Sequence, residues 1–252
     1  MMRVRTTLPD YLAAVAELPV STSPTAESAG SLVVLPGRRG WTDAVARAAA
    51  DGAAVVVVDE PAWASVADLD ALLRVDVPVV LSRRRLRVDV ADDARRTERP
   101  TLVVGSCAAA PRVLAEVVRD VVGWIRTLGD APVSVVSARG AEHGGIALLD
   151  VGGTPATLAV TALDPTARSR TRVTALGVER SDVETTPDGT TVTVSSESGA
   201  RLLPARFEDA PRLALRRALA AGGAHPDDVA LFRADVVVAD ALVGGQGRLP
   251  AS

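Results

Sequence analysis

The sequence predicts an α/β layer followed by an α+β domain: a truncated Rossmann-like parallel sheet, then a large, mostly antiparallel sheet flanked by helices. Three observations carry this reading. In the first hundred residues, near-continuous valine runs alternate with stretches of helical period, the pattern of a parallel sheet covered on both faces. After Pro100, strand-like runs follow one another without intervening helices, which indicates an antiparallel domain. Two helical segments then close the chain. With 252 residues, 48% of them hydrophobic, the chain can bury cores of this kind.

SLVVLP (Ser31 to Pro36) reads as a buried strand, and WTDAVARAAADG as a helix that stops at Gly52. AAVVVVDE is a second strand. SVADLDALL is a second helix, opened by the S-x-x-D capping signal of Ser65 and Asp68. VPVVLS is a third strand. Ahead of Ser31 stand only a short helix, PDYLAAVAEL, and the polar stretch STSPTAESAG, expected to be a mobile loop. A domain boundary is expected near Thr97 to Pro100, dividing the chain into residues 1–98 and 99–252.

In the second part, TLVVGS is a short strand and a helix runs from about Arg112 to Leu128. APVSVVSA, GIALLDV, ATLAVTAL, TRVTALGV and TVTVSS follow as strands. Pro187-Asp188-Gly189 marks a hairpin turn, and GGTPATL (Gly152 to Leu158) a tight turn between antiparallel strands rather than a phosphate loop. FEDAPRLALRRALAAGG and DDVALFRADVVVADALV are the closing helices, and GGQGRLPAS should fray.

Composition excludes several functions. A net charge of −3 and 2% aromatic residues offer neither the basic footprint nor the stacking platform of a nucleic-acid binder. No charge-free apolar window reaches the length of a membrane span, and Asp10 and Glu17 interrupt the start where a signal peptide needs an apolar run. One cysteine, Cys107, cannot form an internal disulfide and reads as a small buried residue, so the expected setting is cytoplasmic. All 28 basic side chains are arginine, since the chain contains no lysine. His143 and His225 sit in separate turns without companion cysteines, so no metal site is expected. No G-x-S-x-G elbow surrounds Ser106 or Ser134.

Four clusters remain as candidates for an anion or ligand pocket. Arg38 and Arg39 stand in LPGRRG, where a strand meets a helix N-terminus. Glu60 follows Asp59 at a strand end; alternation in a strand would turn the two carboxylates to opposite faces. Arg84 lies in the arginine run SRRRLR. Arg119 and Asp120 lie together on an otherwise apolar helix. A solvated face or a structural ion pair is the plainer role for each.

LVVLPGRRGWTDAVARAAADGAAVVVVDEPAWASVADLDALLRVDVPVVL resembles the later part of the nucleotide-binding domain in the Gfo/Idh/MocA oxidoreductases. There a strand ends in Thr-Pro and the next strand in Glu-Lys-Pro; Leu35-Pro36 and Asp59-Glu60-Pro61 occupy these places. VVRDVVGWIRTLGDAPVSVVSA is similar to that family's Gly-x-His-x-x-Asp helix, GIALLDVGGTPATLAVTAL to its next two strands, and LFRADVVVADALV to its final helix. The resemblance covers roughly Ser31 to Val243 and no motif is intact. It implies that Glu60 replaces the lysine that contacts cofactor and substrate, Arg119 the histidine that acts as general acid/base, and Val122 the accompanying aspartate. Arginine stays protonated and cannot serve as a base.

A dinucleotide fingerprint needs a strand, G-x-G-x-x-G and a helix, yet no glycine precedes Gly30, so the opening βαβ unit is expected to be deleted. The implied function is a non-catalytic homologue of a sugar or polyol dehydrogenase with no cofactor of its own. It would form a homo- or hetero-oligomer through the large sheet, as family members commonly do. One alternative is an NAD(P)-dependent oxidoreductase whose site a partner subunit completes. Another is a sensor in which Arg119 and Arg84 read a sugar acid.

Overall fold

The computed structural model describes residues 1–141 and 143–244. Two units divide the chain: Met1–Arg84 with Arg206–Arg233, and Arg85–Ala205 with the chain from Ala234. Gly245–Ser252, most of the segment expected to fray, lie outside the described residues.

The first unit is built on five strands: β1 (Met2–Arg5), β2 (Thr22–Pro24), β3 (Leu32–Pro36), β4 (Val55–Asp59) and β5 (Val79–Ser82). They pair in the order β2-β1-β3-β4-β5, parallel throughout. The valine runs of β3 and β4 are buried because helices cover both faces. On one face α1 (Pro9–Glu17) and α6 (Ala210–Ala221) bring Tyr11, Ala14, Leu215 and Ala218 against Leu32, Val34 and Val57. On the other lie α2 (Trp41–Ala50) and α3 (Val66–Leu72). Trp41 anchors α2 by donating its indole N–H to the Ala62 carbonyl at 3.0 Å and meeting Phe232 edge-on at 5.9 Å. The cap expected at Ser65 is present, its hydroxyl accepting from the Asp68 amide at 3.1 Å.

The opening βαβ unit expected to be deleted is present in shortened form as β1, α1 and β2. In β1 only Val4 is buried, while Arg3 and Arg5 point out, so an apolar-run criterion passes over it. The edge strand β2 is three residues long and ends in Pro24, a residue edge strands tolerate. The polar stretch expected to be mobile supplies β2 and is then tied down. Arg3 pairs with Glu27 at 2.7 Å and donates to the Ala29 carbonyl; the Ser31 hydroxyl donates to the carbonyls of Glu27 and Ser28.

The second unit holds an eight-stranded sheet and two helices, α4 (Val88–Ala94) and α5 (Pro111–Gly129). Its strands are β6 (Leu102–Ala109), β7 (Val133–Ala141), β8 (Gly144–Val151), β9 (Thr154–Ala162), β10 (Arg170–Leu176), β11 (Arg180–Thr186), β12 (Gly189–Ser196) and β13 (Gly199–Leu202). The order is β13-β12-β11-β10-β6-β9-β8-β7, antiparallel except for the β6–β9 pair. Both expected turns are found. Thr186 pairs with Gly189 around Pro187-Asp188, and Val151 with Thr154 around Gly152-Gly153.

α5 covers one face of this sheet, and Cys107 of β6 is buried, as expected. Its thiol is pushed up to about 12 by burial, which leaves it inert at neutral pH. The opposite face carries Val104, Ile146 and Leu148, exposed at 37%, 57% and 50%. The register aligns Leu148 and Val104 on either side of Thr157, and Ile146 beside Ala159. Helix α7 (Asp228–Gly244) closes the described chain, its first residues in the first unit and the rest in the second.

Candidate functional site

Strand order in the first unit reverses between β1 and β3, and open α/β sheets bind ligands outside the carboxyl ends of strands at such a switch point. Each carboxyl end can be built from its residues. β1 runs through Thr6-Thr7-Leu8 into α1, whose first position is Pro9 and whose first turn contains Asp10. β3 runs through Gly37 to Gly40 into α2, whose cap residue is Gly40 at φ +79° with no side-chain cap. β4 ends at Asp59 and β5 at Ser82.

The chain turns sharply after Asp59. Glu60 adopts φ +51°, a left-handed conformation costly for a residue with a Cβ. The surroundings hold it there. Its amide donates to the Ser82 carbonyl at 2.9 Å, Gly37 N–H to the Asp59 carbonyl at 2.7 Å, and Ala62 N–H to the Gly37 carbonyl at 2.6 Å. Gly37 has to be glycine, since a Cβ there would lie 2.3 Å from the Glu60 carbonyl oxygen.

This turn ends the strand alternation, so Asp59 and Glu60 both reach Arg84 instead of parting. The Asp59 carboxylate lies 3.5 Å from the Arg84 guanidinium, and a Glu60 oxygen accepts from the Arg84 backbone N–H. Asp10 approaches the same guanidinium at 3.6 Å. Tyr11 donates to Asp59 at 3.1 Å, and burial followed by the Asp59 charge pushes its phenol well above the ordinary value. Three carboxylates thus gather at one arginine. Arg38 and Arg39 are exposed on the β3–α2 connection.

Arg119 and Asp120 belong to the second unit, in the buried middle of α5. Each is 3% exposed, and Arg119 Nη2 lies 3.0 Å from Asp120 Oδ1. Val122 is buried on the same helix. Sequence reasoning missed a second ion pair on α5, Arg126 with Asp235 at 2.9 Å. The six sequence-derived candidates therefore fall into the Glu60–Arg84 contact, the Arg119–Asp120 pair and two exposed arginines. No group of His, Cys, Asp and Glu among the described residues could hold a metal ion.

No protein-family model matches the chain, and no curated protein matches it. Solved structures do. UDP-N-acetylglucosamine 3-dehydrogenase GnnA from Acidithiobacillus ferrooxidans aligns with a TM-score of 0.67 at 17% identity, covering 97% of this chain and 89% of that one. A lysine-to-glutamate mutant of KijD10, a 3-ketoreductase from Actinomadura kijaniata solved with TDP-benzene and NADP, aligns at 0.62 and 17%, covering 97% of each chain. The dehydrogenase MviM from Clostridium difficile aligns at 0.69 and 7%, covering 97% of this chain and 98% of that one. The fold is that of the Gfo/Idh/MocA oxidoreductases.

Such folds hold a dinucleotide by backbone N–H groups at the glycine-rich strand–helix turn, where the helix dipole adds positive potential. The residues present here do not fit that group. The turn has no glycine, Pro9 has no N–H to offer, and Asp10 brings a carboxylate into the first turn of α1. Glu27, the first acidic residue after β2, is already paired with Arg3 rather than offered to a ribose. The turn at Gly37 and Glu60 is fully formed as backbone, and the side chains gathered at it are Asp10, Tyr11, Asp59, Glu60 and Arg84. Tyr11 among them is fully buried.

Proposed function

We propose that this chain is a non-catalytic relative of the sugar and polyol dehydrogenases, acting as a binding or assembly subunit. The carrying observation is the β1–α1 end, where Pro9 and Asp10 stand at the position that should receive a diphosphate. The glutamate at position 60 is secondary. KijD10 with a lysine-to-glutamate exchange is solved with NADP, so an exchange of that kind does not by itself exclude the cofactor.

The partner surface in this reading is the open face of the large sheet. Apolar Val104, Ile146 and Leu148 give way there to the charged cluster of Arg172, Arg180 and Asp182. A second copy or a related subunit would cover it. Light scattering should report a dimer or higher assembly that Leu148→Arg dissociates; a monomeric wild-type protein would overturn this part.

Calorimetric titration with NADH and with NADPH tests the main claim. No heat from folded protein is expected with either. Heat saturating near one equivalent would instead favour the NAD(P)-dependent oxidoreductase, for which the NADP in KijD10 is the supporting observation. The sugar-acid sensor has less support, because Asp10 and Asp59 already neutralise Arg84. A melting temperature unmoved by sugar acids is the expected result for it.

A further inference from the structure

We propose that a groove between α2 and the β1–β3 side of the parallel sheet is a binding site for a compact monocarboxylic acid with an apolar body. The groove has a topological origin. Parallel strands are normally joined by helices that cover the sheet. From β2 to β3 the chain instead crosses by the segment Thr25–Ser31, with no helix. Sheet surface beside α2 is left as a cavity of about 260 Å³.

Its apolar lining comes from Val33 and Leu35 of β3 and from Ala44 and Ala48 of α2. At the carboxyl end of β1 and along α2 it is bordered by Arg5, Arg47, Thr7 and Asp51. The volume lies just below the usual range for small-molecule pockets and suits a ligand of roughly ten heavy atoms. A helical segment with side chains is about 10–12 Å across and would not enter.

The charges select the ligand. Most arginines of this unit are committed: Arg3 to Glu27, Arg212 to Glu17, Arg217 to Asp228 and Arg233 to Asp70. Arg5 is held by the Ser28 hydroxyl and keeps further N–H groups to donate. Arg47 has no side-chain hydrogen bond or ion pair among the described residues, so its fork is available to a carboxylate. Two guanidinium groups against the single Asp51 carboxylate favour a monoanion over a phosphate dianion. The apolar floor disfavours a sugar, whose hydroxyls would find no partners there. The groove is separate from the Glu60–Arg84 contact and shares Thr6 and Thr7 with the β1–α1 connection.

The test is calorimetry on the full chain with 4-methylpentanoate and phenylacetate, their neutral amides as matched controls, and inorganic phosphate. Both acids should saturate, with amides and phosphate weaker by about tenfold or more, the size of a lost charge-assisted hydrogen bond. Arg47→Gln should weaken acid binding by a similar factor, and Ala44→Leu should abolish it by filling the groove, with melting temperatures kept near wild type. Absence of saturation by either acid overturns the proposal, as does equal affinity for acid and amide. So does tighter binding of phosphate, or acid binding indifferent to both variants.

Discussion

Two carboxyl ends of the same parallel sheet have been treated differently. At β4 the turn that distinguishes the fold survives as backbone: Gly37 pressed against Glu60, Glu60 left-handed at φ +51°, and Pro61 after it. At β1 the connection has no glycine and ends in Pro9, which has no N–H, and Asp10. The first end is tied to its neighbours by hydrogen bonds from three strands, so losing it would cost the sheet. The second is held differently, by Leu8, which packs against the core and accepts from the Tyr11 and Leu12 amides. The contrast lies in what each turn offers a ligand: a left-handed backbone turn built around Gly37 at one end, a proline and a carboxylate at the other.

The largest effect should come from breaking the retained end. Gly37→Ala places a methyl group 2.3 Å from a backbone oxygen that three hydrogen-bonded strands prevent from moving. A loss of about 2–3 kcal/mol is expected in urea unfolding, the upper range for overpacking. Thr7→Ala at the β1 end should fall within about 0.5 kcal/mol. Equal losses at the two positions would remove the contrast.

Tyr11→Phe probes the link between α1 and the retained end. It removes a hydrogen bond to Asp59 while Arg84 stays, so a loss of about 1–2 kcal/mol is expected at neutral pH. The sign of the pH dependence follows from the raised phenol. The folded state favours the neutral form, so the contribution is complete below the ordinary tyrosine range near pH 10 and is lost as pH rises above it. Cys107, held at about 12, contributes in the same direction, and Tyr11→Phe in a Cys107→Ala background separates the two. Denaturation between about pH 8 and 11, the range that brackets the ordinary phenol, should show wild type losing stability more steeply than the variant. Parallel curves would mean that Tyr11 is not buried as described.

How much of this could be read from the sequence follows from the same contrast. Runs such as VVVVD in β4 announce themselves, because both faces of a central parallel strand are covered. The Leu-Pro and Asp-Glu-Pro punctuation located the turn, and Gly152-Gly153 and Pro187-Asp188 located hairpins. β1 escaped because a four-residue strand with one buried side chain has no apolar run. β11 escaped because its buried face is Ser181, Val183 and Thr185, where hydroxyl residues look polar in sequence. The identity of Glu60 and Arg84 as site candidates was legible, but their contact was not. It depends on a positive φ at a non-glycine residue, which no local pattern announces. The Arg126–Asp235 pair joins residues distant in sequence on two different helices, and sequence spacing carries no trace of it.

A small structural effect at the retained end tests the contrast most sharply. Glu60→Lys returns the side chain that the resemblance assigns to this position. Lysine meets the same left-handed penalty as glutamate, so the backbone strain is unchanged. The exchange loses the exposed acceptor for the Arg84 amide and brings a positive charge near Arg84, which Asp10 and Asp59 still flank. A stability change below about 1 kcal/mol is expected. No heat should appear on titration with NADH or NADPH, because a lysine at β4 does not replace the glycine-rich turn absent at β1. If Glu60→Lys alone bound a cofactor in saturable fashion, the Pro9-Asp10 end would not be the barrier, and the two carboxyl ends would differ by one residue rather than by design of the backbone.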